Sequence, residues 1–306
     1  MMVRPLASAT ELIGALRQSG YVCDASVAVA LQLGLALGRP LLVEGPAGVG
    51  KTDLARSAAT ALGRPLIRLQ CYEGLDEAKA LYEWDYAKQM LYTQLVRGSL
   101  ERLTASATTV AETVSAVSAS EASFFDRRFL LARPLLAALE SEEPVVLLID
   151  EVDRADPEFE AFLLEVLAEM QITIPEIGTV RAKHTPLVLL TSNGSRDMTD
   201  ALRRRCLHAF VDYPPPEREI EILAARVPGL DAALAGSLAR FITKVRKLDL
   251  KKAPSVGETI DWARALLALG RSQLDAALVE ETLGVILKHQ EDRALVASRT
   301  TDLLRG

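Results

Sequence analysis

The residues whose types and spacing point most directly to chemistry lie at positions 45–52, which read GPAGVGKT. They fit the pattern G-x-x-x-x-G-K-[ST], in which glycines let the backbone curl until its N–H groups converge on phosphate oxygens. Lys51 would reach the β- and γ-phosphates of ATP, and the hydroxyl of Thr52 would ligate Mg²⁺. The predicted nucleotide contacts are Gly45, Pro46, Ala47, Gly48, Val49, Gly50, Lys51, Thr52 and Asp53.

The surroundings of this loop separate a phosphate site from a glycine-rich turn that binds nothing. An apolar run at 40–43 precedes the loop, and a helical pattern at 52–59 follows it. Strand, glycine loop and helix in this order form the context in which the motif binds phosphate, because the helix N-terminus adds its positive dipole end. The context favours a phosphate-binding loop.

Two carboxylates, Asp150 and Glu151, come directly after a second apolar run at 145–149. A run that is apolar on both faces is typical of a central strand in a parallel sheet, and its carboxyl end lies beside the nucleotide crevice. Asp150 would hold Mg²⁺ through water. Glu151 would polarise the attacking water, a role that contributes about 10²–10⁴-fold. The alternative, two strand-end carboxylates facing solvent, is disfavoured by the loop upstream.

A neutral amide, Asn193, follows a third apolar run at 187–190. It would orient the lytic water or contact the γ-phosphate. Alternatively, Asn193 and Gly194 only form a turn, which is a common use of that pair. The order of Asn193 after the two carboxylates favours the functional role.

Three consecutive arginines, Arg203, Arg204 and Arg205, cannot all be buried. One interpretation is a solvated helix end. The other is an arginine finger that enters the ATP site of a neighbouring subunit, which contributes about 10³–10⁵-fold to turnover. We favour the finger, with Arg205 ahead of Arg204.

These residues need a sheet that brings strand ends together, and the chain has the elements for one. Ser8 and Glu11 have capping-box spacing, so a helix is predicted at 9–19. Further helices are predicted at 25–37, 157–170 and 200–205. Strands are predicted at 40–44, 66–70, 145–149, 187–190 and 207–213, with a hairpin at 171–182 that turns near Pro175 and Glu176. The sequence therefore predicts a three-layer α/β domain with a parallel sheet.

An insert near 71–123 is harder to interpret. The tyrosines and the tryptophan at 72–92 either pack into the core, which we favour, or face a partner or the pore of a ring. Residues 104–123 are rich in Ala, Ser and Thr, which indicates a mobile or weakly packed connection. Residues 124–141 predict helix, with Pro134 at the start of its last helix.

Three prolines at 214–216 mark the predicted domain boundary. The α/β domain covers 1–215, and a small all-α domain covers 216–306. Helices are predicted there at 217–226, 231–247, 256–269 and 276–290.

Composition bounds the class of protein and its partners. Of 306 residues, 49% are hydrophobic and 25% charged, as in globular proteins, and the net charge is −6. This charge argues against a nucleic-acid binder that works through a broad basic face. Cys23, Cys71 and Cys206 lack metal or redox spacing, no apolar run approaches about 18 residues, and no signal peptide is evident. We expect no membrane span and a cytoplasmic location.

The motifs together resemble the AAA+ ATPases and, within them, the MoxR family. The resemblance rests on GPAGVGKT, VVLLIDEVDRADPEFEAFLLEVL, QITIPEIGTVRA and TSNGSRDMTDALRRRC, with a helical lid at 216–306. The hairpin before TSN is similar to the pre-sensor insertion of the MoxR branch. The segment LIRLQCYEGLDEAKALYEWDYAKQMLYTQL resembles most the CoxD subgroup.

This resemblance implies a P-loop fold and a Mg-ATP-hydrolysing remodelling chaperone that forms a homo-hexameric ring. Its subgroup accompanies maturation of a molybdenum- and copper-containing carbon monoxide dehydrogenase. A client of that kind and a von Willebrand factor A-domain partner are therefore implied. Composition and spacing alone indicate neither.

One position departs from the family. Many members carry an arginine in a Ser-x-Arg segment at the start of the third lid helix, where it contacts the γ-phosphate. Here the segment reads PSVGE, and Gly257 stands at the arginine position. Arg264, two turns later, is a poor substitute because of its reach.

Two other functions remain compatible with the loop. One is a P-loop kinase acting on a small metabolite, which seldom has so large a helical lid or a strand-end Asp-Glu pair followed by Asn. The other is a nucleotide-gated scaffold that binds ATP with little turnover.

Overall fold

The computed structural model describes residues 8–92, 94–95, 109, 126–175 and 177–305. The strands are β1 Leu41–Glu44, β2 Leu66–Gln70, β3 Tyr82–Trp84, β4 Leu130–Ala132, β5 Val146–Asp150, β6 Gln171–Ile174, β7 Gly178–Arg181, β8 Leu187–Ser192 and β9 Leu207–Phe210. The helices are α1 Ala9–Gln18, α2 Ala25–Leu37, α3 Lys51–Leu62, α4 Glu77–Leu81, α5 Pro134–Glu140, α6 Pro157–Glu169, α7 Asp200–Arg205, α8 Pro216–Arg226, α9 Ala232–Val245, α10 Val256–Ala268, α11 Ala276–Ile286 and α12 Gln290–Leu304.

Five parallel strands form the central sheet, in the order β2–β5–β8–β1–β9. Along β5, Val146 and Leu148 face one layer of helices, whereas Leu147 and Ile149 face the other. Both faces are covered, and therefore the strand is apolar throughout. β9 is shorter than the predicted strand at 207–213, since its pairing with β1 ends at Phe210.

Helices cover both faces of this sheet. α1, α2 and α3 pack on one face, and α5 and α6 on the other. α1 begins with the predicted capping box of Ser8 and Glu11, and both α5 and α6 begin with proline, whose fixed φ suits the first helical turn. The three-layer, parallel α/β P-loop fold is therefore confirmed.

Two small antiparallel sheets extend the domain. β6 and β7 form the predicted hairpin, although Glu176 of its turn lies outside the described residues. β3 pairs with β4, with Trp84 opposite Leu130. The helix predicted across 124–133 is thus wrong at Leu130–Ala132, because cross-strand pairing overrides the local helical pattern. The predicted connection at 104–123 lies outside the described residues, Thr109 excepted.

The aromatic residues at 72–92 divide between core and surface. Tyr82 and Trp84 are half-buried against the core, as predicted. Tyr72 and Tyr86 are 45% and 66% exposed, so the core prediction is wrong for these two side chains. Tyr92, in the following helical stretch, is half-buried and packs edge-on against Phe129, whereas Met90 and Leu91 beside it are exposed.

The C-terminal helices α8–α12, called the lid from here on, pack around the fully buried Trp262. Near α8, Glu219 and Arg246 form a buried ion pair with two bonds of 2.7 and 2.8 Å. Removing one partner of such a pair typically costs about 3–5 kcal/mol.

The predicted helix at 276–290 ends early, at Ile286. Leu287 leaves the helix with an extended backbone and packs into the lid core, and α12 then begins at Gln290. α12 is a separate helix that the sequence pattern did not predict. Among the described helices, none has the length and apolarity needed to cross a membrane.

Candidate functional site

A cavity of about 400 Å³ opens between the phosphate-binding loop, the segment before α2 and the lid. Strand ends form one wall, because β5, β8 and β1 are parallel neighbours whose carboxyl ends meet there. Residues of α8 and the start of α10 form the opposite wall. The volume lies in the range of small-ligand sites.

The loop glycines are required by their surroundings. Gly45 has a φ of 152°, and a Cβ there would lie 1.9 Å from the carbonyl oxygen of Val211. Gly48 has a φ of 76°, and its Cβ would lie 2.3 Å from the Cβ of Ser255 in the lid. The loop therefore keeps a tight curve that brings backbone N–H groups toward the N-terminus of α3, which suits a phosphate group.

Lys51 is 5% exposed and lies at the base of the loop. Its Nζ donates to the carbonyl oxygens of Gly45 and Pro46, both at 2.7 Å, and to Oδ1 of Asn193 at 2.8 Å. Burial lowers the pKa of Lys51, and the carboxylates of Asp153, Asp150 and Glu151 oppose that shift only in part. A dianionic phosphate bound beside Lys51 would raise this pKa again, because it favours the charged ammonium.

Asp150 and Thr52, the two residues expected to hold Mg²⁺, lie in contact with each other. The hydroxyl of Thr52 donates to Oδ1 of Asp150 at 2.9 Å, and the carboxylate is 2% exposed. Thr191 also donates to Oδ1, at 2.5 Å, and Arg68 donates to Oδ2 at 2.6 Å. One hydroxyl and one carboxylate beside a phosphate site fit Mg²⁺, which takes few protein ligands and prefers oxygen.

Glu151 lies directly beyond the strand end, in a left-handed backbone conformation with φ 55°. Its Oε2 accepts from Nε2 of Gln70 at 3.0 Å and pairs with Nε of Arg154, also at 3.0 Å. Its Oε1 accepts from Nδ2 of Asn193 at 3.4 Å. The carboxylate is thus held at the cavity by three polar groups.

A neighbouring carboxylate, Asp153, orders the strand end that carries Asn193. Its Oδ2 accepts from Oγ of Ser195 at 2.6 Å, from the Ser195 N–H at 2.9 Å and from the Asn193 N–H at 3.2 Å. Burial alone would raise the pKa of Asp153, but these bonds outweigh burial and lower it. Among the described residues, Oδ1 of Asp153 is buried without a hydrogen-bond partner.

A family comparison decides the class of protein. Residues 40–206 match the model of the AAA domain, dynein-related subfamily. The chain belongs to this family.

Relatives among known proteins agree with the AAA assignment. The chain is similar to the gas vesicle ATPase GvpN of Ancylobacter aquaticus, with 28% identity over 81% of this chain and 67% of that protein. It is also similar to protein NorQ of Paracoccus denitrificans, with 24% identity over 89% of this chain and 90% of that protein. Among solved structures, a RuvB mutant of Thermotoga maritima has a TM-score of 0.47 and 16% identity, over 85% of this chain and 68% of that one.

The three arginines of α7 lie away from the AAA site of their own chain. Arg203 forms two bonds with the carboxylate of Glu44, at 2.8 and 2.9 Å. Arg205 donates to the carbonyl oxygen of Leu164 at 2.7 Å. Arg204 and Arg205 are exposed, and the described residues that line the cavity include none of the three.

Sequence reasoning missed the lid arginines that line the AAA cavity. Arg218 and Arg226 of α8 both face it, with Ile222 between them. Their spacing of four and eight residues places the three on one helix face, and that pattern was the available signal. Gly257 also lines the cavity, whereas Arg264 is absent from the described residues that line it, pairs with Asp261 and donates to the carbonyl oxygen of Arg226.

Two further residues were missed because their role depends on strand neighbours. Arg68 and Gln70 lie on β2, which pairs with β5, and they contact Asp150 and Glu151. Asp24, which precedes α2, makes no side-chain capping bond to that helix and forms an ion pair with Arg218.

Proposed function

We propose that this AAA-domain protein hydrolyses Mg-ATP to remodel a protein client. The observation that carries the proposal is the contact of Asn193 with both Lys51 and Glu151 in the lining of one cavity, with Thr52 and Asp150 beside them. A polyphosphate binder that did no hydrolysis would need the lysine but not a carboxylate aligned through an amide.

Each residue has a role that its position supports. The loop N–H groups and Lys51 would bind the phosphates, and Asn193 would release Lys51 to the γ-phosphate while holding the attacking water. Glu151 would take the proton of that water, as a general base. Thr52 and Asp150 would hold Mg²⁺, which neutralises charge on the phosphates.

The exposed Arg204 and Arg205 support action in a ring. Neither reaches the cavity of its own chain, so the role of a finger requires a second copy. We propose a homo-hexamer in which Arg205, ahead of Arg204, enters the site of the next subunit. This is consistent with a family that is typically oligomeric.

The client is proposed from resemblance. The CoxD-like segment at 66–95 favours a metalloenzyme such as a molybdenum- and copper-containing dehydrogenase, with a von Willebrand factor A-domain protein as partner. The similar protein GvpN is named a gas vesicle ATPase, so gas vesicle proteins are an alternative client class. Co-purification with ATP-trapped Glu151→Gln protein would identify the client.

Phosphate release from ATP with no added acceptor tests the activity. We expect Mg²⁺-dependent release in the wild type and none in Glu151→Gln, together with a ring-sized particle when ATP is present. Phosphate release that depends on a small-molecule acceptor, from a monomer, would indicate a kinase. ATP binding without release from assembled wild-type protein would indicate a nucleotide-gated scaffold.

A further inference from the structure

The lid touches the phosphate-binding loop at two points. The N–H of Val256 donates to the carbonyl oxygen of Gly48 at 3.2 Å, at the start of α10. Arg226, the last residue of α8, pairs with Asp53, with 3.2 Å between Nη1 and Oδ2. Both contacts lie at the cavity where the nucleotide would bind.

The charge at Asp53 needs explanation. Asp53 follows Thr52 in the first turn of α3, so a carboxylate stands next to the place where phosphates would bind. A carboxylate there would repel a polyphosphate unless a cation neutralises it. Arg226 supplies that cation, and its guanidinium lies beside Gly20, where a Cβ would come within 3.5 Å of Nη1.

Both partners of this pair remain accessible from the cavity. The Arg226 side chain is 33% exposed and that of Asp53 is 32% exposed. A guanidinium has five donors in a planar fork, so it can bond a carboxylate and a phosphate at once.

We propose that Arg226 of the first lid helix is the lid's cationic ligand for a phosphate common to ATP and ADP. Asp53 shares the guanidinium with that phosphate, and its negative charge partly offsets the attraction between them. This inference rests on nucleotide binding at the loop, as proposed above. It assigns the phosphate contact to α8. In the family members that carry the Ser-x-Arg arginine, that contact would come from the start of α10.

A second ion pair between the lid and the α/β part of the chain serves as the matched control. Arg17 of α1 pairs with Glu221 of α8, and neither lines the cavity among the described residues. Loss of an exposed pair changes an equilibrium constant by about fivefold at most. A larger loss of affinity at Arg226 would therefore need a contact with the nucleotide.

Calorimetric titration with ATP, ADP and adenosine tests the proposal. Arg226→Gln should bind ATP and ADP at least about tenfold more weakly, since a bond between charged groups is lost, and should bind adenosine as the wild type does. Arg226→Lys should fall between the two. Asp53→Asn should bind ATP and ADP no more weakly than the wild type, because it removes repulsion and frees Arg226. Arg17→Gln should match the wild type.

The different effects of Arg226→Gln and Asp53→Asn on nucleotide affinity distinguish a phosphate ligand from a structural ion pair. Equal losses in Arg226→Gln and Asp53→Asn would overturn the proposal, as would a loss of adenosine affinity equal to that of ATP. A wild type that binds ATP, with Arg226→Gln indistinguishable from Arg17→Gln, would refute the role of Arg226 alone. A folded wild type that binds neither ATP nor ADP would refute the proposed function as well.

Discussion

Lys51 and Asn193 are joined by a hydrogen bond of 2.8 Å, although Lys51 begins α3 and Asn193 follows β8. The same amide contacts Glu151 through its Nδ2. Asn193 therefore links the phosphate-binding cation to the proposed base. A substitution at Lys51 or Glu151 should alter the bond that Asn193 makes with the other residue, because one amide can satisfy both only in a single orientation.

Asn193→Ala should lower ATP turnover by about 10²-fold, in the range found when one positioned polar group is removed from a site. ATP affinity should stay within a few-fold of wild type, because the loop N–H groups and Lys51 remain. Steady-state phosphate release and equilibrium titration would measure the two effects separately. A loss confined to affinity would assign Asn193 to binding alone.

Lys51→Ala should abolish ATP binding, whereas Glu151→Gln should abolish only ATP turnover. The first removes the cation that faces the β- and γ-phosphates, so ATP binding should be lost. The second keeps the shape of the site and the Thr52–Asp150 pair, so binding should persist while turnover falls below detection. Titration of both variants with ATP provides the comparison, and equal loss of affinity in the two would contradict these roles.

The Asp153 carboxylate gives a pH-dependent prediction. Its pKa is lowered in the folded protein, so its bonds contribute stability above the unfolded pKa of about 3.9, and that contribution is lost as pH falls through the lower folded value. Ser195→Ala deletes the Oγ donor and with it the 2.6 Å bond to Asp153, and it leaves the bond from the Ser195 backbone N–H in place. It should lower the free energy of unfolding by about 1–3 kcal/mol at pH 7.

Denaturant unfolding at a series of pH values checks this sign. The difference between wild type and Ser195→Ala should shrink below about pH 4, as Asp153 becomes protonated. A Ser298→Ala variant is a suitable control, because Ser298 donates only to a backbone carbonyl on the exposed side of α12. A difference that grows on acidification would mean that Ser195 acts through another group.

The contrast between Lys51 and Gln70 shows what sequence patterns reveal about such a site. Lys51 belongs to a contiguous motif whose flanking strand and helix are visible in the sequence, so its position was predictable. Gln70 reaches Glu151 only because β2 and β5 are neighbours, with Gln70 opposite Asp150 across 80 residues of chain. Local periodicity predicts strands but not which strands pair.

The lid arginines illustrate a second reason. Arg226 reaches the cavity only because the lid packs against α3, and local sequence patterns do not reveal packing between distant segments. Sequence patterns predicted four of the five lid helices, α8 to α11, and the missing arginine at Gly257. They did not predict that α8 would bring two arginines to the cavity. The Leu130–Ala132 strand was missed for a related cause, since its partner β3 lies far away in the sequence.

Arg205→Ala should leave ATP affinity within a few-fold of wild type and lower turnover at least tenfold. Among the described residues, the guanidinium of Arg205 donates to the carbonyl oxygen of Leu164 in α6 and not to a group of the ATP site, so its loss should not disturb that site. Mixed assemblies of Arg205→Ala and Glu151→Gln subunits would test action between subunits. An interface with an intact Arg205 on one side and an intact Glu151 on the other should recover activity. Demonstrably mixed rings without recovery would argue against a finger in trans.

The last prediction concerns the side chain that Gly257 lacks. An arginine that bridges lid and γ-phosphate makes closure depend on the third phosphate, because that charge-assisted contact exists only with ATP. Gly257 lines the cavity but has no such group. Arg226 would contact a phosphate that ATP and ADP share, so it would not restore the distinction. We therefore expect ATP and ADP affinities within about tenfold of each other and strong product inhibition by ADP.

Gly257→Arg should widen the ratio of the two affinities to between about tenfold and a hundredfold, the worth of one bond to a charged group. The structure has room for the substitution, because a Cβ at Gly257 would meet only Oγ of Ser255, at 3.8 Å. Gly257→Met is the control for side-chain length without charge. Both nucleotides would be titrated into these variants in the Glu151→Gln background, in which we expect bound ATP not to be hydrolysed. A preference for ATP above a hundredfold before any change at Gly257 would show that another residue senses the γ-phosphate, and Arg218 would be the first to test, since it lines the same cavity.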